Sequence, residues 1–545
     1  MAAVDVAAAI RERLDWRLAE RNDQFVGKVV GEGEEVDAIF GLEEAGLLDG
    51  FLHFLEATGV LALVRSLTVQ ACRRLMVPVV LLVLTYFMKV LMGIPSVNAL
   101  PALLFSNQGA MLLLGFDGYV MENGLSRRSH EKRGEGKAPP TPFSERVMSS
   151  FPGKMLVEEV EGFFNGAIRC LAVFGVFAAE VTGVIDGTDI ETAAKYQGAG
   201  KVIRKRNGVD KRGQRKEIEV VVFGFKAIVL YELRTRIPLA VQVVTIEKHE
   251  SQYTLELVRQ GQENLSGRSR IVKVIVDRGF LDGETLWQLD EDGILYVVCA
   301  KSGMHVKEDA RALAAAGEGH RAKRKRKVVH GRGKTERVER LETERVGIEG
   351  LLTFDAYNSA EGYKHHNRKD YEPKPINAVV VLKWDNKDYG QEGRTVYLTN
   401  ESVVDPFLPF DDYDGRSLIE NTLFREGKQA WHLKKAPKKT AAAVTSHVFM
   451  TFAVLALTAA YRLHEQAETL QDEMESQAAF EEGVRQWRRR MKQENQDKVI
   501  IFVGDKYGIL HVAELAVLTG VRLKKIPPEL GTRDDILRRY GVERG

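Results

Sequence analysis

The feature that most constrains this chain is a series of β-branched apolar runs between about residues 182 and 299. The runs "EVVVFGFKAIVLYE", "IPLAVQVVTI" and "IVKVIV" are separated by charged or proline-containing turns, which predicts successive strands. The last run is apolar except for one lysine, a pattern typical of a central strand buried on both faces. Helical segments at about 251–263 and 282–289 alternate with the strands. We therefore predict an α/β fold with a mixed sheet.

Acidic residues stand where these strands are predicted to end. Asp186 ends one strand, Asp277 ends the run at 271–276, and Glu420 lies in a predicted helix that runs to about residue 429. Because strand ends line the functional crevice of an α/β sheet, two such carboxylates can point into one site. A third carboxylate would complete an all-oxygen site suited to Mg²⁺ or Mn²⁺. Two such ions, about 3.5–4 Å apart, can activate water or a 3′-hydroxyl and stabilise the leaving oxygen of a phosphodiester.

The segment around Glu420 adds a second argument. Tyr413, Arg416 and Glu420 are spaced by three and four residues, so in a helix they share a face. Arg416 can then contact a phosphate, and Tyr413 can orient it through its hydroxyl. A competing interpretation is that Ser417 and Glu420 form a capping box, in which the glutamate only satisfies a backbone donor.

Other acids compete with each proposed member of the site. Asp189 or Glu191 could replace Asp186, and Asp277 could simply pair with Arg278. The third position is crowded by loop acids that we interpret as solvated, namely Asp411, Asp412 and Asp414. Adjacent histidines at 365 and 366 are interpreted as surface residues, since their side chains point apart and no cysteine is near.

Three motifs resemble those of bacterial insertion-sequence transposases of the DDE type. They are "IDGT" at 185–188, "VDRGF" at 276–280, and the Y-x2-R-x3-E signature at 413–420, which Phe424-Arg425 follows. The resemblance covers about residues 180 to 460 and includes "RIPLAVQVVT" and "VYLTN". It implies a ribonuclease-H-like catalytic domain with a β-rich insertion before the last acid.

The resemblance also implies roles for individual residues. Asp186, Asp277 and Glu420 would be the catalytic triad that binds two Mg²⁺ or Mn²⁺ ions, with Tyr413 and Arg416 as the signature pair. The family pattern has a lysine seven residues after the glutamate, but position 427 is glycine here and Lys428 comes one residue later. We carry the phosphate-binding role over to Lys428 and also predict it for Arg425.

The chain has 78 basic and 76 acidic residues, and this balance alone argues against a dedicated nucleic-acid binder. The basic residues, however, cluster at 126–137, 201–216 and 321–327. Dense lysine and arginine without compensating acids in the same run favours contact with DNA phosphates. The predicted contacts in the last two clusters are Arg204, Lys205, Arg206, Arg324, Lys325 and Arg326. Trp287 and Trp384 could stack on an exposed base, although packing is the preferred interpretation for both.

Six segments are predicted along the chain. They are a helical N-terminal domain at 1–124 that could bind DNA ends, a basic linker at 125–152, the first part of the catalytic domain at 153–301, the β-rich insertion at 302–400, the end of the catalytic domain at 401–460, and a helical C-terminal region at 461–545. The last segment carries an apolar seam at 463–491, which could pair two protomers.

No membrane segment is predicted. The apolar run at 75–88 is shorter than the roughly 20 residues that a membrane span needs. The run at 440–460 is long enough, but polar residues recur in it at helical spacing, which favours a buried core helix. Three widely spaced cysteines and the lack of a signal peptide predict a reducing, cytoplasmic location, and the resemblance implies association with a bacterial nucleoid.

The predicted function is DNA transposition. The enzyme would cut at terminal inverted repeats and transfer the 3′-hydroxyl to target DNA, as a homodimer that bridges two ends. One alternative is a ribonuclease-H-like nuclease or resolvase that cuts without joining. Another is a domesticated DNA-binding protein without catalysis, for which Gly427 is the only support.

Overall fold

The computed structural model describes most of the chain and shows helices and strands in alternation. The described residues are 20–41, 46–69, 77–116, 141–209, 215–330, 337–358, 374–389, 395–416, 419–465, 486 and 498–520. The α-helices are α1 (Asp23–Gly31), α2 (Gly46–Ala57), α3 (Val60–Ser66), α4 (Val79–Leu91), α5 (Leu100–Leu103), α6 (Gln108–Leu113), α7 (Glu145–Ser150), α8 (Val157–Phe174), α9 (Thr254–Asn264), α10 (Gly283–Glu291), α11 (His305–Ala316), α12 (Asp355–Asn358), α13 (Leu408–Asp414), α14 (Arg425–Gln429), α15 (Ala441–Glu465) and α16 (Val512–Thr519). The strands are β1 (Glu20–Arg21), β2 (Ala38–Gly41), β3 (Glu180–Thr192), β4 (Gly200–Val209), β5 (Arg215–Glu232), β6 (Pro238–Thr245), β7 (Arg270–Val276), β8 (Leu295–Cys299), β9 (His320–His330), β10 (Arg337–Leu351), β11 (Ile376–Trp384), β12 (Lys387–Asp388), β13 (Thr395–Thr399), β14 (Lys498–Val503) and β15 (Lys506–His511).

The chain divides into two compact units. One contains residues 1–170 and 428–545, and the other contains residues 171–427. The division falls within α8 and α14. It joins the two ends of the chain in one unit, which no local sequence pattern indicates. The six segments predicted from the sequence follow changes in composition along the chain, and their bounds stay predictions.

The two ends of the chain share a four-stranded sheet in the order β1-β15-β14-β2. Strand β2 pairs antiparallel with β14, and β1 pairs in parallel with β15. The regions at 1–124 and 461–545, predicted to be helical, therefore also contain strands. In β14, the run "KVIIFV" supplies the β-branched residues that favour a strand. A Cβ at Gly508 would lie 2.8 Å from the Cβ of Val26, so glycine lets β15 approach helix α1 closely.

Helix α15 is the segment that the sequence predicts to be buried. It is long and apolar enough to cross a membrane, yet 78% of its most apolar window is buried inside the protein. Its polar stripe is buried too, because His447 and Thr451 are fully inaccessible. The Nδ1 atom of His447 lies 2.6 Å from the hydroxyl of Tyr86 on α4. Thr451 and Thr458 of the stripe donate to carbonyls of their own helix. The prediction of a buried helix is confirmed.

The unit at 171–427 is built on an 11-stranded sheet in the order β4-β5-β3-β7-β8-β13-β11-β10-β9, with β6 beside β5 and β12 beside β11. The β6-β5-β3 pairs are antiparallel and the β3-β7-β8 pairs are parallel. Helix α10 connects β7 to β8, as a parallel pair requires. Val184, Ile185, Val274 and Ile275 are fully buried, which explains why both inner strands read as continuous apolar runs. The predicted α/β class with a mixed sheet is confirmed.

The predicted β-rich insertion extends this same sheet. Strand β13 pairs antiparallel with β8, and β11, β10 and β9 follow outward in turn. The insertion therefore adds strands to the sheet of this unit instead of forming a separate layer. Its outermost strand is β9, and the other end of the sheet is β4. The two basic runs of the sequence lie on these two outer strands.

Candidate active site

Asp186 and Asp277 lie side by side because of the register between two parallel strands. Val184 is opposite Ile275 and Ile185 is opposite Val276, so the two aspartates follow at the same level. Neighbouring strands are about 4.8 Å apart, which brings the two carboxylates within reach of one ligand. Strand β7 ends at Val276, as predicted.

Strand β3 does not end at Asp186, contrary to the sequence prediction. It continues to Thr192 by pairing with β5. Only its pairing with β7 stops at Ile185. Asp186 therefore lies inside a strand, at the point where the neighbour on one side leaves and the sheet opens. The strand continues because one edge of β3 stays hydrogen-bonded to β5, whereas its other edge no longer pairs with β7 and can line a site.

The third acid does not lie on one regular helix with Tyr413 and Arg416, which corrects a second expectation. Helix α13 ends at Asp414, and Glu420 belongs to a π-helix over Ile419–Phe424. Tight turns connect them, since Arg416 N donates to Tyr413 O at 3.0 Å and Ile419 N donates to Arg416 O at 3.1 Å. Gly415 disfavours a regular helix at this point, and π-helical turns are frequent at functional sites. Ser417, the other half of the capping box, lies outside the described residues.

The three acids converge on one cationic atom. Nη1 of Arg416 lies 3.3 Å from Oδ2 of Asp186 and 3.8 Å from Oδ1 of Asp277. The same nitrogen lies 3.9 Å from Oε1 of Glu420. The carboxylates come from three distant segments of the chain, yet they share this partner. Nε of the same guanidinium is buried and has no hydrogen-bond partner among the described residues.

The environment of Asp186 differs from that of the other two acids. Its side chain is 11% exposed, against 36% for Asp277 and 61% for Glu420. Burial raises the pKa of Asp186 to about 7, and the charges of Glu420 and Asp277 act in the same direction. The Gly187 amide and Arg416 oppose this rise in pKa. A site with this much negative charge and little solvent favours binding of a cation.

Tyr413 is held against the site from one side. Its hydroxyl donates to Oδ1 of Asp277 at 3.4 Å, and its ring lies 4.6 Å from the ring of Tyr397. Burial raises the pKa of Tyr413 above its ordinary value, so the phenol remains protonated and able to donate. Tyr413 thus contacts Asp277 through its hydroxyl, and its predicted role in orienting a phosphate stays a prediction.

Arg345 supports helix α13 and was not recognised in the sequence. Its side chain is 4% exposed, and its guanidinium carbon lies 3.1 Å from the ring centre of Phe410 and 4.4 Å from that of Phe407. These contacts orient the helix that carries Tyr413. No local pattern could have identified Arg345, because it lies on β10 and its partners come about 60 residues later.

The competing acids near Asp186 have other partners. Asp189 forms an ion pair with Arg204, and Glu191 lies 2.6 Å from Arg206. Both residues are an odd number of positions from Asp186, so they point to the opposite face of β3. Asp411 pairs with Arg324. The side chain of Asp412 lies outside what the structure describes.

Most basic residues on β4 and β9 form ion pairs with acids from other segments, which corrects the expectation that no acids compensate them. On β4, Lys205 Nζ lies 3.4 Å from Glu217. The β9 ion pairs are Arg321–Glu344, Lys323–Glu344, Arg324–Asp411, Lys325–Glu342 and Arg326–Asp385. The acids come from cross-strand and loop positions, so the sequence run alone could not reveal them. DNA contacts by these residues stay predictions.

The remaining candidate residues differ in their exposure to solvent. Trp287 is 3% exposed and therefore packed, whereas Trp384 is partly exposed and lies 4.6 Å from the ring of Phe410. Gly427 is buried in α14, so a lysine at this position would lose solvent; the neighbouring Lys428 is partly exposed and Arg425 is exposed. The histidines at 365 and 366 and the linker cluster at 126–137 lie outside the described residues.

The donor set at Asp186, Asp277 and Glu420 fits a hard divalent cation, because it offers carboxylate oxygens only. Within the described ranges, no three acidic, histidine or cysteine side chains are already close enough to hold a metal ion. All three carboxylates lie within 3.9 Å of Nη1 of Arg416.

The profile of the family described as "Transposase DDE domain" matches residues 178–457, just over half of the 545-residue chain. The chain belongs to this family, and the matched segment contains all three converging acids. A DNA-acting transposase is the class of protein that follows. Seven solved chains also match. One is a cryo-EM structure of the piggyBac transposase synaptic complex with hairpin DNA, at 10% identity and a TM-score of 0.36, covering 83% of this chain and 80% of that one. A similarity at that score carries no assignment. No curated protein sequence matches the chain.

Proposed function

We propose that this chain is a DNA transposase of the insertion-sequence type, which cleaves the ends of a mobile element and joins the 3′-hydroxyl to target DNA. The observation that carries the proposal is the convergence of Asp186, Asp277 and Glu420 on Nη1 of Arg416, inside the segment that the transposase profile matches. Three acids around one cation, one of them buried, are the arrangement expected where a divalent ion binds.

In this proposal, Asp186, Asp277 and Glu420 hold two divalent ions, Mg²⁺ or Mn²⁺. When bound, the ions supply activation of water or a 3′-hydroxyl and stabilisation of the leaving oxygen. Arg416 then leaves the carboxylates, and its planar guanidinium contacts a phosphate of the bound DNA. Tyr413 keeps Asp277 oriented through its hydroxyl. The buried position of Asp186 excludes water from one side of the reacting phosphate.

Both DNA cleavage and strand joining by the full-length protein are expected to require Mg²⁺ or Mn²⁺ and to stop when EDTA is added. The substrates are duplexes that carry the inverted repeats flanking the coding sequence, either intact or already cut at the 3′ end. Gel analysis of products with a plasmid target separates the candidate functions. Joined products from pre-cut ends support a transposase. Cleavage without joining would indicate a nuclease or resolvase, and binding without either reaction would indicate a non-catalytic DNA-binding protein.

Replacement of Arg416 by glutamine is expected to strengthen Mn²⁺ binding by at least about tenfold in the absence of DNA, because a competing charge is removed 3.3–3.9 Å from three carboxylates. The same variant is expected to cleave DNA poorly, since it lacks the phosphate contact. Titration of free Mn²⁺ by electron paramagnetic resonance measures the affinity. The matched control is Arg425→Gln, an exposed arginine on α14, which should leave Mn²⁺ affinity unchanged. Equal or weaker Mn²⁺ binding by R416Q would contradict the proposed displacement.

Two copies of the chain, one at each end of the element, complete the proposal. The seam at 463–491 that could join them lies almost entirely outside the described residues. The proposal of a dimer therefore rests on the need to cut two identical ends together.

A further inference from the structure

A short basic segment lies between α14 and α15 and was not predicted as a DNA contact from the sequence. It differs from β4 and β9 in how its lysines are paired with acids. We call residues 430–440, "AWHLKKAPKKT", the lysine loop. Lys434, Lys435 and Lys438 are exposed, whereas Trp431 and Leu433 are buried. The buried pair fixes the segment to its own unit and leaves the lysine side chains pointing to solvent.

The lysine loop has a defined backbone conformation. His432 has a φ of 55°, a left-handed value that is uncommon outside glycine. Its Nε2 donates to the carbonyl of Gly93 at 2.9 Å, and its own carbonyl accepts from Nε2 of His447 at 3.2 Å. Lys435 N donates to His432 O at 2.7 Å. These bonds hold the loop in place, so its lysines lose little further freedom when a ligand binds.

Three lysines of the loop have no acidic partner among the described residues. None of Lys434, Lys435 and Lys438 forms an ion pair with any residue that the structure describes, unlike Lys205, Lys323 and Lys325 on β4 and β9. The sequence has no aspartate or glutamate between Glu426 and Glu465. The loop therefore presents a concentrated positive charge to solvent, which attracts polyanions.

A buried lysine behind the loop adds to this charge. Lys89 on α4 is 1% exposed, and its Nζ has no hydrogen-bond partner among the described residues. Burial, with the charge of Lys435 as a second cause, lowers the pKa of Lys89 to about 8, so the amine is mostly protonated at pH 7. Lys89 and Lys435 also lower the pKa of His432, after burial as the main cause. The positive charges of Lys89, Lys435 and His432 therefore repel one another, and no carboxylate among the described residues offsets this repulsion.

We propose that the lysine loop binds the phosphate backbone of duplex DNA through Lys434, Lys435 and Lys438. This inference rests on the proposed function, because it names a surface by which the transposase would hold its substrate. Contacts to phosphate carry no base information, so the loop binds end DNA and unrelated DNA alike. The paired lysines of β4 and β9 contribute less, since binding of DNA there would have to displace protein carboxylates.

The test compares two triple variants of the full-length protein that remove the same three charges. One is Lys434→Gln with Lys435→Gln and Lys438→Gln. The matched control is Lys28→Gln with Lys374→Gln and Lys506→Gln, three lysines that are paired with Glu32, Glu291 and Glu20 and that lie outside the predicted DNA contacts. Dissociation constants are measured without metal, by fluorescence anisotropy from 50 to 300 mM KCl. The probes are an end-containing duplex and an unrelated duplex of equal length.

The loop variant is expected to bind both duplexes at least about tenfold more weakly at 0.1 M salt, with a salt slope reduced by about 2 to 3. The control should change the slope by less than about 1. Lys→Arg at the three loop positions should restore wild-type binding, since it restores the charge. Wild-type affinity and slope in the loop variant, or equal losses in both variants, would overturn the proposal. Loss on the end duplex alone would also overturn it, because it would indicate base recognition.

The DNA-binding test of the lysine loop and the cleavage and joining test of the proposed function can be refuted independently. Weaker metal-free binding by the loop variant supports the lysine loop even if no cleavage or joining is found for the wild type. Unchanged binding by the loop variant overturns the lysine loop even if the wild type cleaves and joins DNA. Coincident thermal unfolding curves for the wild type and both variants confirm that the fold is intact.

Discussion

Replacement of Asp277 by asparagine is expected to reduce DNA cleavage by at least about 10³-fold while leaving duplex binding intact. Asparagine keeps the shape of the side chain and its contact with Tyr413 but removes the negative charge that a divalent cation needs. Asp277 lies beside Asp186 across the β3–β7 pair and shares Arg416 with it. Glu420→Gln should have the same effect, because Glu420 is the third carboxylate around that nitrogen. Nicking of end-containing DNA in Mg²⁺ measures the rate.

The controls are neighbouring acids that the structure places in other roles. Asp189→Asn and Glu191→Gln remove carboxylates that pair with Arg204 and Arg206 on the opposite face of β3. Both control variants should cleave within about threefold of the wild type, as expected for surface ion pairs. Cleavage by D277N at the wild-type rate, or an equal loss in D189N, would refute the assignment of the triad.

The Asp186→Asn variant is expected to be more stable than the wild type, although it should be catalytically inactive. Asp186 is a buried carboxyl whose pKa is raised to about 7 from an ordinary value of 3.8. Between these values the folded protein holds a proton that the unfolded chain has lost, so this group's contribution to stability falls as the pH rises from about 4 to about 7. At pH 8 the ionised carboxylate costs the folded state roughly 4 kcal/mol. At pH 5 the folded protein holds the proton, and the cost relative to the ionised unfolded chain is roughly 2 kcal/mol.

Chemical denaturation of the protein in EDTA at pH 5 and pH 8 measures this effect. D186N should gain stability over the wild type at both values, with the larger gain at pH 8, in the transition of the unit at 171–427. D277N is the matched control, and its more exposed side chain should change stability by less than about 1 kcal/mol. Added Mn²⁺ should stabilise the wild type more than D186N, since binding to the folded state raises its stability. A D186N protein less stable than the wild type at both pH values would disprove the electrostatic account.

The strands around the site were predictable because their pattern is local. Strand β7 is a continuous apolar run that ends at an acid, and its boundaries agree with the structure. The continuation of β3 to Thr192 was not predictable, since it depends on pairing with β5 across the sheet. The break between Asp414 and the π-helix was missed as well. The spacing of Tyr413, Arg416 and Glu420 fits a regular helix, but tight turns meet the same spacing with a different backbone.

In the terminal regions, too, local patterns were predictable but pairing between distant segments was not. A continuous apolar run marks β14, but its partner β2 lies more than 450 residues away, and local pattern contains no information about pairing at that distance. The helical prediction for 461–545 therefore overlooked a sheet that both ends of the chain complete. For α15, by contrast, the polar stripe was enough to predict burial, because a helix with buried polar residues needs neighbouring hydrogen-bond partners.

The amino-acid sequence by itself determined the α/β class, the central strands and the three acids, because hydrophobic period and strand-end chemistry are properties of short segments. Only the tertiary structure decided which basic residues are paired with acids and which remain able to bind another anion. Most basic residues of β4 and β9 form ion pairs with acids that the fold brings close from other segments. By contrast, Lys434, Lys435 and Lys438 of the lysine loop, which is no more basic in sequence, form no ion pair with the residues that the structure describes. Likewise, the carboxylates of Asp186, Asp277 and Glu420 acquire a common partner only when the sheet and the π-helix bring them together. Electrostatic interactions depend on distance in space rather than along the chain, so charge compensation is decided by the fold.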